Sequence, residues 1–242
     1  MKALTHQSIR VSEYQSIRVS LIIVCMFLSL LACQLVGLPA YAADDSMSIT
    51  DQVGVNKALV TTEVIPYRVI WEIHKYKDPG DTISKALKAG APVEQFAFYK
   101  AEKFEGNIAL REGISELLGL AATIGTPTAW SNGAAYLGVG DTNTAEAATQ
   151  TGLQAPTNKF YADMDTTYPQ IVTVGGGSNN ALEWRTTYAS AEANFAWEEY
   201  SVSNTNADTG KNLNRKISAK GTKVSGESWT LSLKICFGTE CT

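Results

Sequence analysis

The run SWTLSLKICF, Ser228–Phe237, places Trp229, Leu231, Leu233 and Ile235 at every second position, with Ser228, Thr230, Ser232 and Lys234 between them. Successive side chains of a strand point to opposite faces, so this alternation reads as a strand with one buried face. The same reading extends toward the N-terminus. Leu213–Ala219, Ala193–Asn204, Ala181–Tyr188, Tyr168–Val174, Asn158–Asp165 and Ala134–Val139 are further strand candidates, and Phe195 and Trp197 alternate within theirs. Gly221–Gly226, Asn204–Gly210, Gly175–Gly177 and Asn132–Gly133 separate them as turns. Short strands at this spacing predict a mainly β chain, an antiparallel β-sandwich of jelly-roll-like kind.

One helix interrupts the pattern. Asn107 suits an N-cap, Gly125 and Pro127 suit a stop, and Ile114, Leu117, Leu118, Ala121 and Ile124 mark a stripe at helical spacing. A packed α-helix is predicted over about 108–124. Upstream lies an N-terminal β extension. Tyr67, Val69, Trp71 and Ile73 alternate in one strand, Lys77–Asp81 forms a turn, Thr82–Ala89 makes a helical turn ended by Gly90, and Gln95–Phe104 is a second strand. The two strands are expected to pair as an antiparallel ribbon.

Residues 1–46 stand apart. Leu21–Leu38 is apolar, Arg10 and Arg18 precede it, and Ala40-Tyr41-Ala42 forms a cleavage pattern before Ala43, as in a secretory signal. His6–Glu13 (HQSIRVSE) and Tyr14–Leu21 (YQSIRVSL) nevertheless repeat an octamer in tandem, which reads as translated upstream DNA. Met47 would then be the true start. The organisation expected is a signal-like or upstream segment 1–46, a flexible arm 47–62, the β extension 63–106, and a sandwich domain 107–242.

Charge and residue inventory exclude several classes. The net charge is -4 and becomes -6 once residues 1–42, with Lys2, Arg10 and Arg18 against Glu13, are removed. A mildly acidic chain without a basic stripe is not expected to bind nucleic acid. His74 is the one histidine after residue 46, so a Ser-His-Asp or Cys-His arrangement has little support, and His74 reads as a surface strand residue. Asp163 and Asp165 fall on one side of an extended segment, whereas Glu198 and Glu199 point to opposite faces, and Glu183 precedes Trp184. Acids near turns are normally solvated, and no catalytic set is expected. Asp141 and Asn143 place oxygen ligands at alternate positions, as at the opening of a calcium loop, but the distal bidentate acid is missing. No cofactor is expected. Cys236 and Cys241 form a disulfide loop if the chain meets an oxidising compartment, or otherwise two reduced thiols. Among Trp71, Trp130, Trp184, Trp197 and Trp229, Trp197 and Trp229 read as core. Trp130, beside a turn, is expected to be the most exposed.

From Gly106 onward the chain resembles a group of uncharacterised structural proteins of tailed bacteriophages. The segments that carry the likeness are Asn107–Leu118 (NIALREGISELL), Ala134–Asp141 (AAYLGVGD), Thr149–Lys159 (TQTGLQAPTNK), Met164–Pro169 (MDTTYP), Asn194–Glu199 (NFAWEE), Leu213–Lys216 (LNRK), Gly221–Lys223 and Gly226–Leu233 (GESWTLSL). Val69–Lys77 (VIWEIHKYK) looks like the early strand of such proteins. The resemblance implies a non-enzymatic virion component of tail, neck or capsid surface. Its partners would be other virion proteins and copies of itself in a homo-oligomer, and it brings no catalytic residues. The alternative, which the signal-like segment favours, is a secreted carbohydrate-binding or adhesive module that meets a host-surface glycan.

Overall fold

In the computed structural model, residues 67–241 are described, so the expectations for the segment 1–46 and the arm 47–62 fall outside them. Among the described residues ten strands form two antiparallel sheets. The first has the order β2-β1-β10-β7-β6, from β1 (Tyr67–Lys77), β2 (Lys100–Glu105), β6 (Gln170–Val172), β7 (Ala181–Tyr188) and β10 (Glu227–Phe237). The second has the order β3-β9-β8-β4-β5, from β3 (Ile108–Ala109), β4 (Tyr136–Gly140), β5 (Lys159–Asp163), β8 (Glu199–Ser203) and β9 (Asn214–Ile217). The sandwich expected from the alternation is present, and β1 and β2 pair antiparallel as anticipated. The N-terminal strands are woven into the first sheet, since β1 also pairs with β10 along its whole length.

The buried face of β10 is the one that alternation selected. Trp229, Leu231, Leu233 and Ile235 join Val69, Trp71 and Ile73 of β1 and Trp184 and Tyr188 of β7. They pack on Leu137 and Val139 of β4 and on Tyr200 and Val202 of β8. Tyr188 fastens the two sheets directly, its hydroxyl donating to the carbonyl of Leu137 at 2.7 Å. A buried phenol needs such a partner, and this one lies across the core.

The first of two helices, α1 (Thr82–Lys88), covers the outer face of the first sheet and is fastened from outside its own sequence. Its N-cap, Asp81, has a left-handed backbone and makes no capping bond. Asp78 takes that role, accepting from the amides of Ile83 (3.0 Å) and Ser84 (2.8 Å) and from the Ser228 hydroxyl (2.7 Å). Burial pushes the Asp78 carboxyl up, but these donors outweigh it and hold it below the ordinary carboxylate value. Asp78→Ala is expected to lower the unfolding free energy by about 2 kcal/mol in urea denaturation at neutral pH. A carboxyl depressed in the folded state contributes fully above its unfolded value and loses that contribution as pH falls through the folded one. The gap between wild type and variant therefore closes in acid.

The second helix corrects the sequence reading. It is α2 (Arg111–Ala122), three residues later at its start than Ile108, and its N-cap is Leu110 rather than Asn107. Ile108 and Ala109 pair instead with Arg215 and Asn214 as β3. The Leu110 amide donates to the carbonyl of Leu213 at 3.1 Å, so tertiary pairing takes residues that local signals assigned to the helix. The helix stops at Thr123, which is left-handed, and Ile124 is 71% exposed rather than part of the buried stripe. Of that stripe Leu117 packs on the core, joined by Leu120, which the spacing does not select.

Gly113 sets how closely α2 approaches β9. A Cβ there would lie 2.4 Å from Leu213 Cα and 2.5 Å from the Asn212 carbonyl oxygen, both backbone atoms. In an isolated helix Gly→Ala gains about 1 kcal/mol, whereas overpacking against backbone costs about 1–3 kcal/mol or more. Overpacking should win here. Gly113→Ala is expected to destabilise by about 2 kcal/mol, measured as a lowered denaturation midpoint at unchanged slope.

Candidate functional site

The polar groups with the most elaborate surroundings lie on the outer face of the second sheet, beneath residues 141–158. Glu199 and Arg215 are both fully buried there, with Arg215 Nε 2.8 Å from Glu199 Oε2. Both are engaged from the loop side. Glu199 also accepts from the amides of Gln154 (2.9 Å) and Ala155 (2.7 Å), and Arg215 donates to the Thr144 carbonyl and to Gln150 Oε1, each at 2.9 Å. Sequence dictates the room for this. A Cβ on Gly140 would sit 2.3 Å from Glu199 Oε1, and one on Gly138 would sit 2.6 Å from the Tyr161 ring.

Further bonds close the latch. Tyr161 accepts from the Leu153 amide at 3.2 Å and donates to Asp208 at 2.9 Å, while Glu112 Oε1 on α2 accepts from the amides of Gly152 (3.2 Å) and Asn212 (3.0 Å). The chemistry on offer is fastening. A carboxylate held by a guanidinium and two amides ties the loop to the sheet at three points.

Two more buried nodes have the same character. Arg185 on β7 pairs with Asp165 at 2.8 Å, donates to the carbonyls of Leu87 and Ala91 at 3.1 and 3.0 Å, and lies 4.4 Å from the Tyr168 ring centroid. Burial pushes the Asp165 carboxyl up, and Arg185 and Thr187 oppose it. Lys223 is fully buried and donates to the carbonyls of Ala189 (2.7 Å) and Glu192 (2.8 Å) and to Asn194 Oδ1 (2.9 Å), which holds the 189–194 turn.

The acids singled out in the sequence do not converge. Asp163 and Asp165, expected on one side, are separated: Asp163 is solvent-exposed and Asp165 fully buried. The reason is that β5 ends at Asp163 and the chain turns, so that the Asp165 amide donates to the Arg185 carbonyl and alternation no longer applies. Glu198 is half-buried, and Glu199, at the start of β8, is fully buried beneath the loop 141–158. Glu183 lies 3.6 Å from Lys234, and burial pushes its carboxyl up. His74 is half-buried with its ring against Phe98, and burial lowers its pKa. Asp141 Oδ2 accepts from Asn158 at 2.6 Å and Asn143 is exposed; among the described residues no group of three or more His, Cys, Asp and Glu is placed to hold a metal.

Trp130 is a correction, because it is 6% exposed, its indole donating to the Lys211 carbonyl at 3.0 Å. All five tryptophans are buried or nearly so. The aromatics that face solvent are Tyr67, Phe98, Tyr99 and Phe237. Cys236 and Cys241 are joined as a disulfide, and the Cys241 carbonyl accepts from Arg68 at 2.9 Å. A shallow open depression is lined by Tyr67, Arg68, Val69, Glu105, Gly106 and Asn107, and its two charged groups, Arg68 and Glu105, pair with each other.

No family model matches the chain, and no similar curated protein or solved structure was found. The segments quoted above for their resemblance acquire a physical reading from the geometry alone. Residues 107–118, 134–141, 149–159, 194–199 and 213–216 supply Glu112, Gly138, Gly140, Gln150, Gln154, Glu199 and Arg215, the parts of the latch. Sequence reasoning missed this node. Its trace was the pair Glu198-Glu199 at the start of a strand, one of which is buried by the covering loop and so needs a cation.

Proposed function

We propose that the protein is a non-enzymatic structural component of a tailed-bacteriophage virion, belonging to tail, neck or capsid surface and acting through assembly with other virion proteins and with copies of itself. The observation that carries this reading is the use of buried charge. Glu199–Arg215, Asp165–Arg185 and Lys223 are buried, and each clamps a loop or turn onto a sheet. Rigid loops on a pleated body suit a part that must present a fixed surface to neighbours. The resemblance of the segments after Gly106 agrees with it.

The Cys236–Cys241 disulfide, together with the signal-like residues 21–43, favours a second reading, an exported carbohydrate-binding or adhesive module. One experiment separates them. Particles induced from the producing strain are banded on a density gradient and examined by mass spectrometry. The chain at fixed stoichiometry in the particle band, with Met47 or Ser48 at its N-terminus, supports the virion role. Recovery only from the unsedimented medium, beginning at Ala43, overturns it in favour of export.

A further inference from the structure

On the side where β2 and β9 are neighbours, the seam between the sheets gathers four lysines around one carboxylate. Lys100, Glu102 and Phe104 of β2 stand opposite Lys75, Ile73 and Trp71 of β1, and so share the inward side. Glu102 Oε1 lies 2.6 Å from Lys75 Nζ and 3.0 Å from Lys100 Nζ. The buried Lys75 also donates to the Lys220 carbonyl at 2.6 Å and sits 3.9 Å over the Trp229 ring.

From the second sheet's side, the Lys220 ammonium lies 4.3 Å over the Phe104 ring. Lys216, paired with Tyr200 and so directed inward, brings its Nζ to 3.7 Å from where a Cβ of Gly106 would be. Among the described residues neither Lys216 nor Lys220 has a carboxylate within salt-bridge distance. Four ammonium groups gather about Glu102, with Glu198 the other acid beside Tyr200, so positive charge is in local excess in a chain of net charge -4. Burial pushes the Lys220 ammonium down; Glu102 opposes this, and Lys75, Lys100 and Lys216 add to it.

The same place offers unpaired backbone. The Gly106 amide donates to the Val69 carbonyl at 3.0 Å, which fixes the phase of the β1–β2 ladder. Lys100, Glu102 and Phe104 therefore turn their amides and carbonyls to β1, and those of Ala101, Lys103 and Glu105 face the free edge. No strand of the described residues lies beyond β2.

We propose that this seam is the docking site for an extended acidic segment of a partner subunit, added as a strand to the free edge of β2 with its carboxylates facing Lys100, Lys216 and Lys220. The proposal rests on the assembly reading above and names its chemistry. Lysines on an edge also deter stray pairing. Deterrence, however, needs one inward charge, whereas here the cations converge from two sheets onto one line. The excess charge repels a second copy of the same edge and admits a strand of opposite sign, which is selection rather than simple blockade.

The test is calorimetric titration of the purified full chain with an octapeptide of alternating Glu and Thr, the Lys–Thr octapeptide, and a heparin-derived oligosaccharide. Binding of the acidic peptide alone is expected, weakening about tenfold as the Debye length is shortened by salt. Lys216→Glu with Lys220→Glu should weaken it about tenfold or more. Lys103→Pro tests the strand geometry separately. The Lys103 amide points off the sheet, so proline there spares the ladder to β1 while blocking an added strand. Near-ultraviolet circular dichroism reports that both variants are folded. Loss of binding in both supports the proposal. Undiminished binding in Lys103→Pro, tighter binding of the oligosaccharide, or no binding of the acidic peptide overturns it. The assembly reading is scored independently, by the chain's presence in sedimenting particles.

Discussion

Arg215→Met should destabilise the protein by about 3–5 kcal/mol, the range for removing one partner of a buried ion pair. Against a typical total of about 5–15 kcal/mol this is a large fraction of the whole. The physical reason is the charge left behind. Glu199 is fully buried, and without the guanidinium its carboxylate keeps only the amides of Gln154 and Ala155 as donors. The Thr144 carbonyl and Gln150 lose their donor as well. Replacing both partners by apolar residues of matching volume removes the unpaired charge, so Arg215→Met with Glu199→Met should be less damaged than the sum of the single variants. Urea denaturation gives the energies. Hydrogen exchange gives the location, with faster exchange expected first at the amides of 152–155. A loss below about 1 kcal/mol would show that the loop is held by something other than this pair.

How the pair escaped the sequence shows what local patterns contain. Alternation located β7 at Ala181–Tyr188 and β10 to within one residue, because each strand has one face wholly committed to the core and a period of two is visible without knowing the partner. The start of α2 was not legible for the opposite reason. Ile108 and Ala109 are extended because they pair with residues more than a hundred positions away, and nothing in NIALREG announces β9. Trp130 failed similarly, since its turn neighbours suggested exposure while its burial depends on Trp184 and Lys211. Charge is harder still. Which of Glu198 and Glu199 is buried, and whether Arg215 waits there, depends on how two strands are registered and on the loop that covers them. The seam lysines Lys75, Lys100, Lys216 and Lys220 are scattered over 146 positions and become neighbours only when the edges of two sheets meet.

The second large effect is expected at Trp197. Trp197→Ala should cost about 3–5 kcal/mol, as truncation of a buried aromatic does when the site cannot collapse. Collapse is opposed because the indole is walled by rings anchored elsewhere. Tyr188 lies at 4.7 Å and Trp229 at 4.8 Å between centroids, both near-perpendicular, with Tyr200 at 6.4 Å. Tyr188 is tied to the Leu137 carbonyl and Trp229 to Glu227, so neither can swing in to fill the space. The indole N–H also satisfies the Ala193 carbonyl at 3.0 Å, which would be left without its donor. Trp197→Phe keeps a ring and loses that bond, so about half the penalty is expected, read from denaturation midpoints and from the near-ultraviolet dichroism of the ring cluster. On a sugar-binding surface a tryptophan stacks on ligand, and its loss abolishes binding while the fold survives. Here Trp197 is fully buried between the sheets, so its loss should lower stability and alter surface recognition only through that loss.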